Sequence, residues 1–278
     1  MTRAIETLQE VAADYEAIVL DQWGVLHDGT TPYPGAVVAL DALHAAGVRL
    51  AVLSNSGKRA APNMARIARM GFPEQIFACV MTSGEALWRD VAEGRIAERR
   101  FFPIERAPGD AAIWAEGLPV QLCREPSEAD AILLMGLPDG SDAADWQAPL
   151  DHALSASLPV YCSNPDRASP RSGGRRVVSP GALAHEHHAR GGHVVFYGKP
   201  HGPVFDAVAA ALGTTSLLMV GDSLEHDIAG AAAAGWDSAF VRGGLHAADF
   251  AGGDAERVLA GLVGDGGAAP TYMIEVLR

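Results

Sequence analysis

Four short polar segments of this chain carry side chains whose types and spacing could do chemistry together. Asp21-Gln22-Trp23-Gly24-Val25-Leu26 follows the apolar run Ala17–Leu20, and Ser54-Asn55-Ser56 follows an apolar run over 49–53. Gly198-Lys199-Pro200-His201 follows 194–197, and Gly221-Asp222-Ser223-Leu224-Glu225-His226-Asp227 follows 216–220. Among them are a carboxylate able to act as a nucleophile, further carboxylates suited to a hard cation such as Mg2+, a hydroxyl donor and a lysine. Transfer of a phosphoryl group needs that set, because its difficulty is positioning an anion and neutralising its charge. A lone Asp after a strand is commonly a helix cap or turn former. Four polar segments at four strand ends are not explained by capping.

The elements that must position them alternate short apolar runs with helical patterns, which predicts an α/β protein with a parallel sheet covered by helices. Strands are expected at Ala17–Leu20, 49–53, 78–81, 194–197, 216–220 and 238–241, with helices at 34–46, 63–70, 203–212 and 228–234. In open parallel sheets ligands bind at the carboxyl edge, where these polar segments fall. About a hundred intervening residues have their own rhythm: strands at 120–123, 131–135 and Val160–Cys162, helices over 142–156 and 180–190. The expected organisation is a core of residues 1–83 and 193–278 with an inserted α/β domain over 84–192. Residues 171–176 read as a Gly- and Arg-rich surface loop, and 252–269 as loop and helix edge.

Composition restricts the partners. The chain has 278 residues, 49% hydrophobic and 20% charged, with a formal net charge of −13. Such an acidic surface repels nucleic acids and anionic membranes and excludes both as expected partners. Residues 1–16 read as an amphipathic helix with no basic segment leading into an apolar one, unlike a signal peptide. No apolar run reaches the roughly 18 residues of a membrane span. Cys79, Cys123 and Cys162 are odd in number and far apart, which predicts reduced, buried thiols and a cytoplasmic protein. A homo-oligomer is compatible with the sequence.

The order and local sequence of these segments resemble the haloacid dehalogenase (HAD) superfamily, in its subclass IIA with a large α/β cap. The resemblance is carried by Gly221-Asp222-Ser223-Leu224-Glu225-His226-Asp227-Ile228-Ala229-Gly230-Ala231 with Ala234-Gly235, and by Gly198-Lys199-Pro200 ahead of it. Ser163-Asn164-Pro165-Asp166 and Thr82-Ser83-Gly84 resemble family segments near the cap boundaries. The resemblance implies a Rossmannoid core and a phosphatase of a small phosphorylated metabolite, dependent on Mg2+. It casts Asp21 as the nucleophile that forms an aspartyl-phosphate, and Asp21, Asp222 and the backbone carbonyl of Trp23 as metal ligands. Asp227 would hold the metal's waters, Ser54 and the backbone at Asn55 the transferring phosphoryl group, and Lys199 would clamp its charge.

Trp23 departs from the family pattern. Phosphatases of the superfamily carry a second Asp two residues after the nucleophile, which protonates the leaving group. An indole donates weakly and accepts no proton, so help typically worth about 10²–10⁴ in rate is missing. The Asp-x-Trp-Gly-Val-Leu pattern resembles a less understood branch of the subclass. The alternative function is a phosphate- and metal-binding sensor with little turnover. Hydrolysis at carbon, as in dehalogenases, needs no Mg2+, and Asp222 with Asp227 counts against it.

Other motifs carry less. His185-Glu186-His187-His188 lacks the histidine at position 189 of the metalloprotease pattern and reads as a solvated helix face. Gly192 to Gly198-Lys199 has the wrong spacing for a P-loop. His27 and Asp28 read as shaping a turn towards Pro32, with replacement of the missing acid as the alternative. Lys58 and Arg59 either meet an anionic substrate or begin a solvent-facing helix. Asn164, Asp166 and the 171–176 loop are candidates for substrate contact from the cap.

Overall fold

The computed structural model describes residues 2–138, 140–170 and 176–278. In chain order the strands begin with β1 (Arg3–Ala4), β2 (Ala17–Leu20), β3 (Leu50–Ser54), β4 (Phe77–Thr82) and β5 (Arg100–Ile104). There follow β6 (Gln121–Leu122), β7 (Ala131–Leu134), β8 (Val160–Cys162), β9 (Ala168–Pro170) and β10 (Arg176–Val178). The last are β11 (Val194–Phe196), β12 (Leu217–Gly221), β13 (Asp237–Val241) and β14 (Tyr272–Ile274). The α-helices are α1 (Ala36–Ala45), α2 (Ala60–Ala68), α3 (Ser83–Ala92), α4 (Asp110–Ala115), α5 (Gln147–Ala156), α6 (Pro180–Ala189), α7 (Gly202–Leu212), α8 (Ala229–Ala233) and α9 (Ala255–Val263). The chain divides into two compact units: Met1–Ser54, Ala61–Met81 and Lys199–Arg278 form the first, Asn55–Ala60 and Thr82–Gly198 the second.

The first unit is built on a seven-stranded sheet of order β1-β14-β13-β12-β2-β3-β4. Its central strand β2 reads Ala-Ile-Val-Leu and is buried at all four positions, the composition of a parallel strand covered on both faces. It pairs in parallel with β12 on one side and β3 on the other. One core cluster joins Ile18, Leu20, Leu50, Val52, Leu218 and Val220 to side chains of α1 and α2.

Two expectations for the first unit's strands and ends are corrected. Residues 2–16 do not form the expected amphipathic helix: β1 pairs with β14, and two 3₁₀ turns, Leu8–Glu10 and Ala12–Asp14, follow. Ile5, Leu8 and Val11 recur every three residues and are buried, the period of a 3₁₀ helix rather than of an α-helix. Nor does the strand expected at 194–197 enter this sheet; as β11 it pairs with β8 in the second unit. Its three half-buried apolar residues suit either sheet, so the pattern alone does not choose.

The second unit has a five-stranded sheet of order β11-β8-β7-β5-β6, parallel throughout, and an antiparallel pair β9–β10. Its core gathers Ile104, Ile132, Leu134, Leu150, Val160 and Leu183. Strand β5 escaped the sequence pattern because Pro103 interrupts it, and proline normally argues against an interior strand. The loop expected over 171–176 lies mostly outside the described residues, with Arg176 opening β10.

All three cysteines are buried and outside any disulfide, and burial pushes the Cys162 thiol up to about 12, which makes it inert. Among the described residues no helix is long and apolar enough to cross a membrane.

Candidate active site

Strand register brings the chemistry-bearing residues of the first unit to one edge. Leu20 pairs with Val220 and Val52, so Asp21, Asp222 and Ser54 leave three adjacent parallel strands at their carboxyl ends. The Asp21 N–H donates to the carbonyl of Val220 at 2.9 Å, extending the ladder through Asp21. Asp21, Asp222 and Asp227 each offer a carboxylate oxygen, and these atoms lie within 4.8 Å of one another.

Lys199 enters the same cluster from the turn ahead of α7. Its Nζ lies 2.7 Å from Asp21 Oδ1 and 2.6 Å from Asp227 Oδ1, with lysine and Asp227 both buried. Burial works to lower the lysine's pKa, but Asp21 and Asp227 outweigh it and hold the group above its ordinary value. Burial pushes the Asp21 carboxyl up, Lys199 opposes that and Asp227 reinforces it. Burial also raises Asp222, with Asp21 and Asp227 adding to the shift.

The turn after β12 is held by its own side chains. Asp227 Oδ2 accepts from the Ser223 N–H at 3.0 Å, and Ser223 Oγ accepts from the His226 N–H at 3.1 Å. A wide π-type turn, Leu224–Ile228, follows before α8, the kind of irregularity found at functional sites. Asp227 therefore anchors both the lysine and the turn.

Several contributors were not expected from sequence. Leu245 donates its N–H to Asp222 Oδ2 at 2.7 Å. Glycine is required at 24 and 244 by close approach: an added Cβ would fall 1.5 Å from Asp222 Oδ2 at Gly24 and 2.3 Å from it at Gly244. Gln22 is buried; its Nε2 donates to Asn63 Oδ1 at 2.5 Å and its Oε1 accepts from Arg66 at 2.8 Å, tying the loop after β2 to α2. The signal for Gln22 was a polar residue inside an apolar surround; Gly244 has no local signature.

Trp23 is 42% exposed and sets its ring edge-on to His27. His27 is buried, accepts from the Gly29 N–H at 3.0 Å, and burial, followed by Arg66, depresses its pKa to about 4. Asp28 Oδ1 accepts from the N–H groups of Thr30 and Thr31 at 2.9 and 2.8 Å, bonds that pull its pKa well below the carboxylate range. Both residues shape the turn, as expected, and neither is suited to carry a proton near neutral pH.

Residues expected near the substrate from the second unit have partners within it. Asn55 Nδ2 donates to Asp166 Oδ1 at 2.8 Å, Lys58 pairs with Asp110 at 3.0 Å, and Arg59 pairs with Glu85 at 2.6 Å. The His185–His188 segment is not a uniformly solvated face. His187 is buried with no hydrogen-bond partner for either ring nitrogen among the described residues, and His185 stacks on Phe196.

The donor set suits a divalent cation. Three carboxylates and one lysine leave two formal negative charges in a largely buried cluster, a cost that a hard cation with oxygen ligands offsets.

The model of the haloacid dehalogenase-like hydrolase family matches residues 18–109, and a HAD-hydrolase-like model matches 196–263. A solved hydrolase of the haloacid dehalogenase-like family from Brucella suis 1330 is 31% identical with a TM-score of 0.79, covering 99% of this chain and 100% of its own. Human chronophin is 28% identical over 235 residues, 80% of this chain and 79% of its own. Glycerol-3-phosphate phosphatase of Gallus gallus is 29% identical over 257 residues, 80% of this chain and 78% of its own. The chain belongs to the haloacid dehalogenase-like hydrolase family. Within it, the protein is a hydrolase of the phosphatase type.

Proposed function

We propose that this enzyme hydrolyses a small phosphorylated metabolite through an aspartyl-phosphate on Asp21, with Mg2+ as its metal. The observation that carries the reading is the sharing of Lys199 between Asp21 and Asp227 beside Asp222. The likeness to a glycerol-3-phosphate phosphatase supports a small phosphate ester as substrate.

In the first step an Asp21 oxygen attacks phosphorus and the bond to the leaving oxygen breaks; that oxygen takes a proton from water. Ser54 and the Asn55 backbone hold the phosphoryl oxygens. Lys199 draws negative charge away from the attacking carboxylate and the phosphoryl group, where a preorganised cation is most effective. In the second step water attacks phosphorus, the bond to Asp21 breaks, and inorganic phosphate leaves with the carboxylate regenerated. Asp21, Asp222 and the Trp23 carbonyl would hold Mg2+, which when bound would supply Lewis-acid neutralisation of phosphoryl charge.

Asp21→Asn tests the nucleophile. It keeps the size of the side chain, so the fold should survive while turnover of a panel of phosphate esters disappears. Beryllium fluoride with Mg2+ should form a stable adduct on wild type alone. Full activity in Asp21→Asn would exclude covalent catalysis by this residue. The exposed Trp23 favours a second reading, a phosphate sensor; wild type that binds phosphate and Mg2+ but turns over no ester would establish that one.

A further inference from the structure

The six residues after Ser54, Asn55–Ala60, form a strap bound into the second unit. The Ser56 carbonyl accepts from the Gly84 N–H at 3.0 Å, and the Lys58 carbonyl accepts from Thr82 Oγ1 at 2.5 Å. Glu85 Oε2 accepts from the Ala60 N–H at 3.1 Å and from Arg59 Nε at 2.6 Å, while the Arg59 guanidinium lies 3.8 Å from the Trp88 ring centroid. Gly57 passes so close to β7's exit that an added Cβ would sit 2.5 Å from the Met135 carbonyl oxygen. The strap is therefore fixed from Ser56 onward by backbone and side-chain bonds. Ser54, by contrast, is fixed by the β3 ladder.

Asn55 lies between these two anchors, and a side-chain bond to Asp166 orients it. Its Nδ2 donates to Asp166 Oδ1 at 2.8 Å. The contact specifies one amide orientation, since a flipped amide would set its carbonyl oxygen against a carboxylate. The bond is charge-assisted, hence stronger than a neutral one. Asp166 is itself seated rigidly: its N–H donates to Asn164 Oδ1 at 3.2 Å and its carbonyl accepts from the Gly181 N–H at 3.1 Å. The first turn of α6 presses on this loop, with an added Cβ at Gly181 falling 1.9 Å from the Pro165 carbonyl oxygen.

We infer that Asp166 is a positioning residue for phosphate recognition, acting through Asn55. The inference rests on the reading of Ser54 and the Asn55 backbone as the phosphoryl-binding segment. By holding the Asn55 side chain, Asp166 fixes the peptide that joins Ser54 to the strap and so the direction of the Asn55 N–H. A loop preorganised in this way binds its anion without first having to be ordered.

A double-mutant cycle tests it in the full-length protein with Mg2+. Inorganic phosphate is titrated by calorimetry, and p-nitrophenyl phosphate supplies KM and kcat, for wild type, Asn55→Ala, Asp166→Ala, the double variant and Asp166→Asn. Asp166→Ala should weaken phosphate binding about tenfold and raise KM by a similar factor, with a smaller change in kcat. It should have no further effect once Asn55→Ala is present. Asp166→Asn keeps an acceptor oxygen of the same size and should recover most of the binding; being isosteric, it keeps the test informative if Asp166→Ala fails to fold. Unchanged phosphate affinity in Asp166→Ala, or effects of the two alanines that multiply independently, would overturn the inference and leave the phosphatase reading standing. Wild type that neither binds phosphate nor cleaves the ester would overturn both.

Discussion

Lys199 Nζ donates to Asp227 Oδ1 at 2.6 Å, a buried pair separated by 28 residues of sequence. The lysine approaches Asp21 almost as closely, at 2.7 Å, so one ammonium group is counter-ion to both carboxylates. Removing it should therefore be felt in stability and in turnover together. Lys199→Met leaves three carboxylates clustered without a cation and should destabilise the protein by about 3–5 kcal/mol, with kcat/KM falling at least about a hundredfold. Urea titration and steady-state kinetics measure the two effects. Wild-type stability in the variant would show that the pair is not what holds the cluster.

Metal dependence of stability should vary with pH. Asp21 and Asp222 have folded pKa values above the ordinary 3.8 of an unfolded carboxylate. A raised folded pKa means that the metal-free protein binds more protons than its unfolded chain, so its stability is greatest at low pH and declines as pH rises through the raised values. A divalent cation stabilises the charged carboxylates and cancels that decline. The rise in Tm produced by Mg2+ relative to chelator should be larger at about pH 8 than at about pH 6. Equal increments at both would contradict the raised pKa values.

Gly244 has no role of its own in the sequence, yet a Cβ there would sit 2.3 Å from Asp222 Oδ2 and 2.6 Å from the Gly24 carbonyl oxygen. Both contacts are with atoms of the carboxylate cluster and the loop beside it. Gly244→Ala should weaken Mg2+ binding at least about tenfold, a loss on the scale of an ordinary core overpacking of 1–3 kcal/mol. Calorimetric titration with Mg2+ checks it, and an unchanged affinity would show that the 244 loop gives way freely.

Trp23 lets leaving-group chemistry be tested directly. Without a proton donor at this position, phosphates with stable leaving groups, aryl or acyl, should be cleaved in preference to alkyl phosphates. His27 is buried and largely neutral, and Asp28 is held ionised by its turn, so neither supplies the proton. Trp23→Asp should raise kcat/KM for an alkyl phosphate by up to about 10²-fold while changing an aryl phosphate far less. Equal changes for both substrates would assign the indole a role in packing alone.

His187 provides a control outside the site. Burial lowers its pKa and neither ring nitrogen has a partner among the described residues. The folded protein favours the neutral ring, so its contribution to stability is lost as pH falls below the ordinary 6.5. His187→Leu should be more stable than wild type by about 1–3 kcal/mol, and the gap should widen on acidification from about pH 7 to about pH 5. A constant gap across that range would show that the ring is not neutral in the folded state.

The chemistry-bearing residues of the first unit were legible in the chain itself. A buried parallel strand is a short apolar run, and the polar residue that ends it is conspicuous, so Asp21, Ser54, and Asp222 with Asp227 could be placed after strands from the order of residues. Lys199 was legible for a different reason, since the strand ahead of it belongs to another sheet. Its motif could be read from the order of residues without knowing which sheet fed it.

Tertiary structure decided the rest, because it depends on groups far apart in sequence. Whether β11 joined one sheet or the other depended on which neighbour offered a free ladder of hydrogen bonds, and three apolar residues carry no record of that. The repeat of Ile5, Leu8 and Val11 fits a helical face until β1 pairs with β14 and fixes the backbone differently. Gly244, Leu245 and Gln22 matter only because distant segments converge on Asp222 and on α2. The bond from Asn55 to Asp166 spans 111 residues. Local sequence specifies the type of a side chain and the period of its surroundings; the partner that fixes its charge or its orientation is set only when strands pair and loops close.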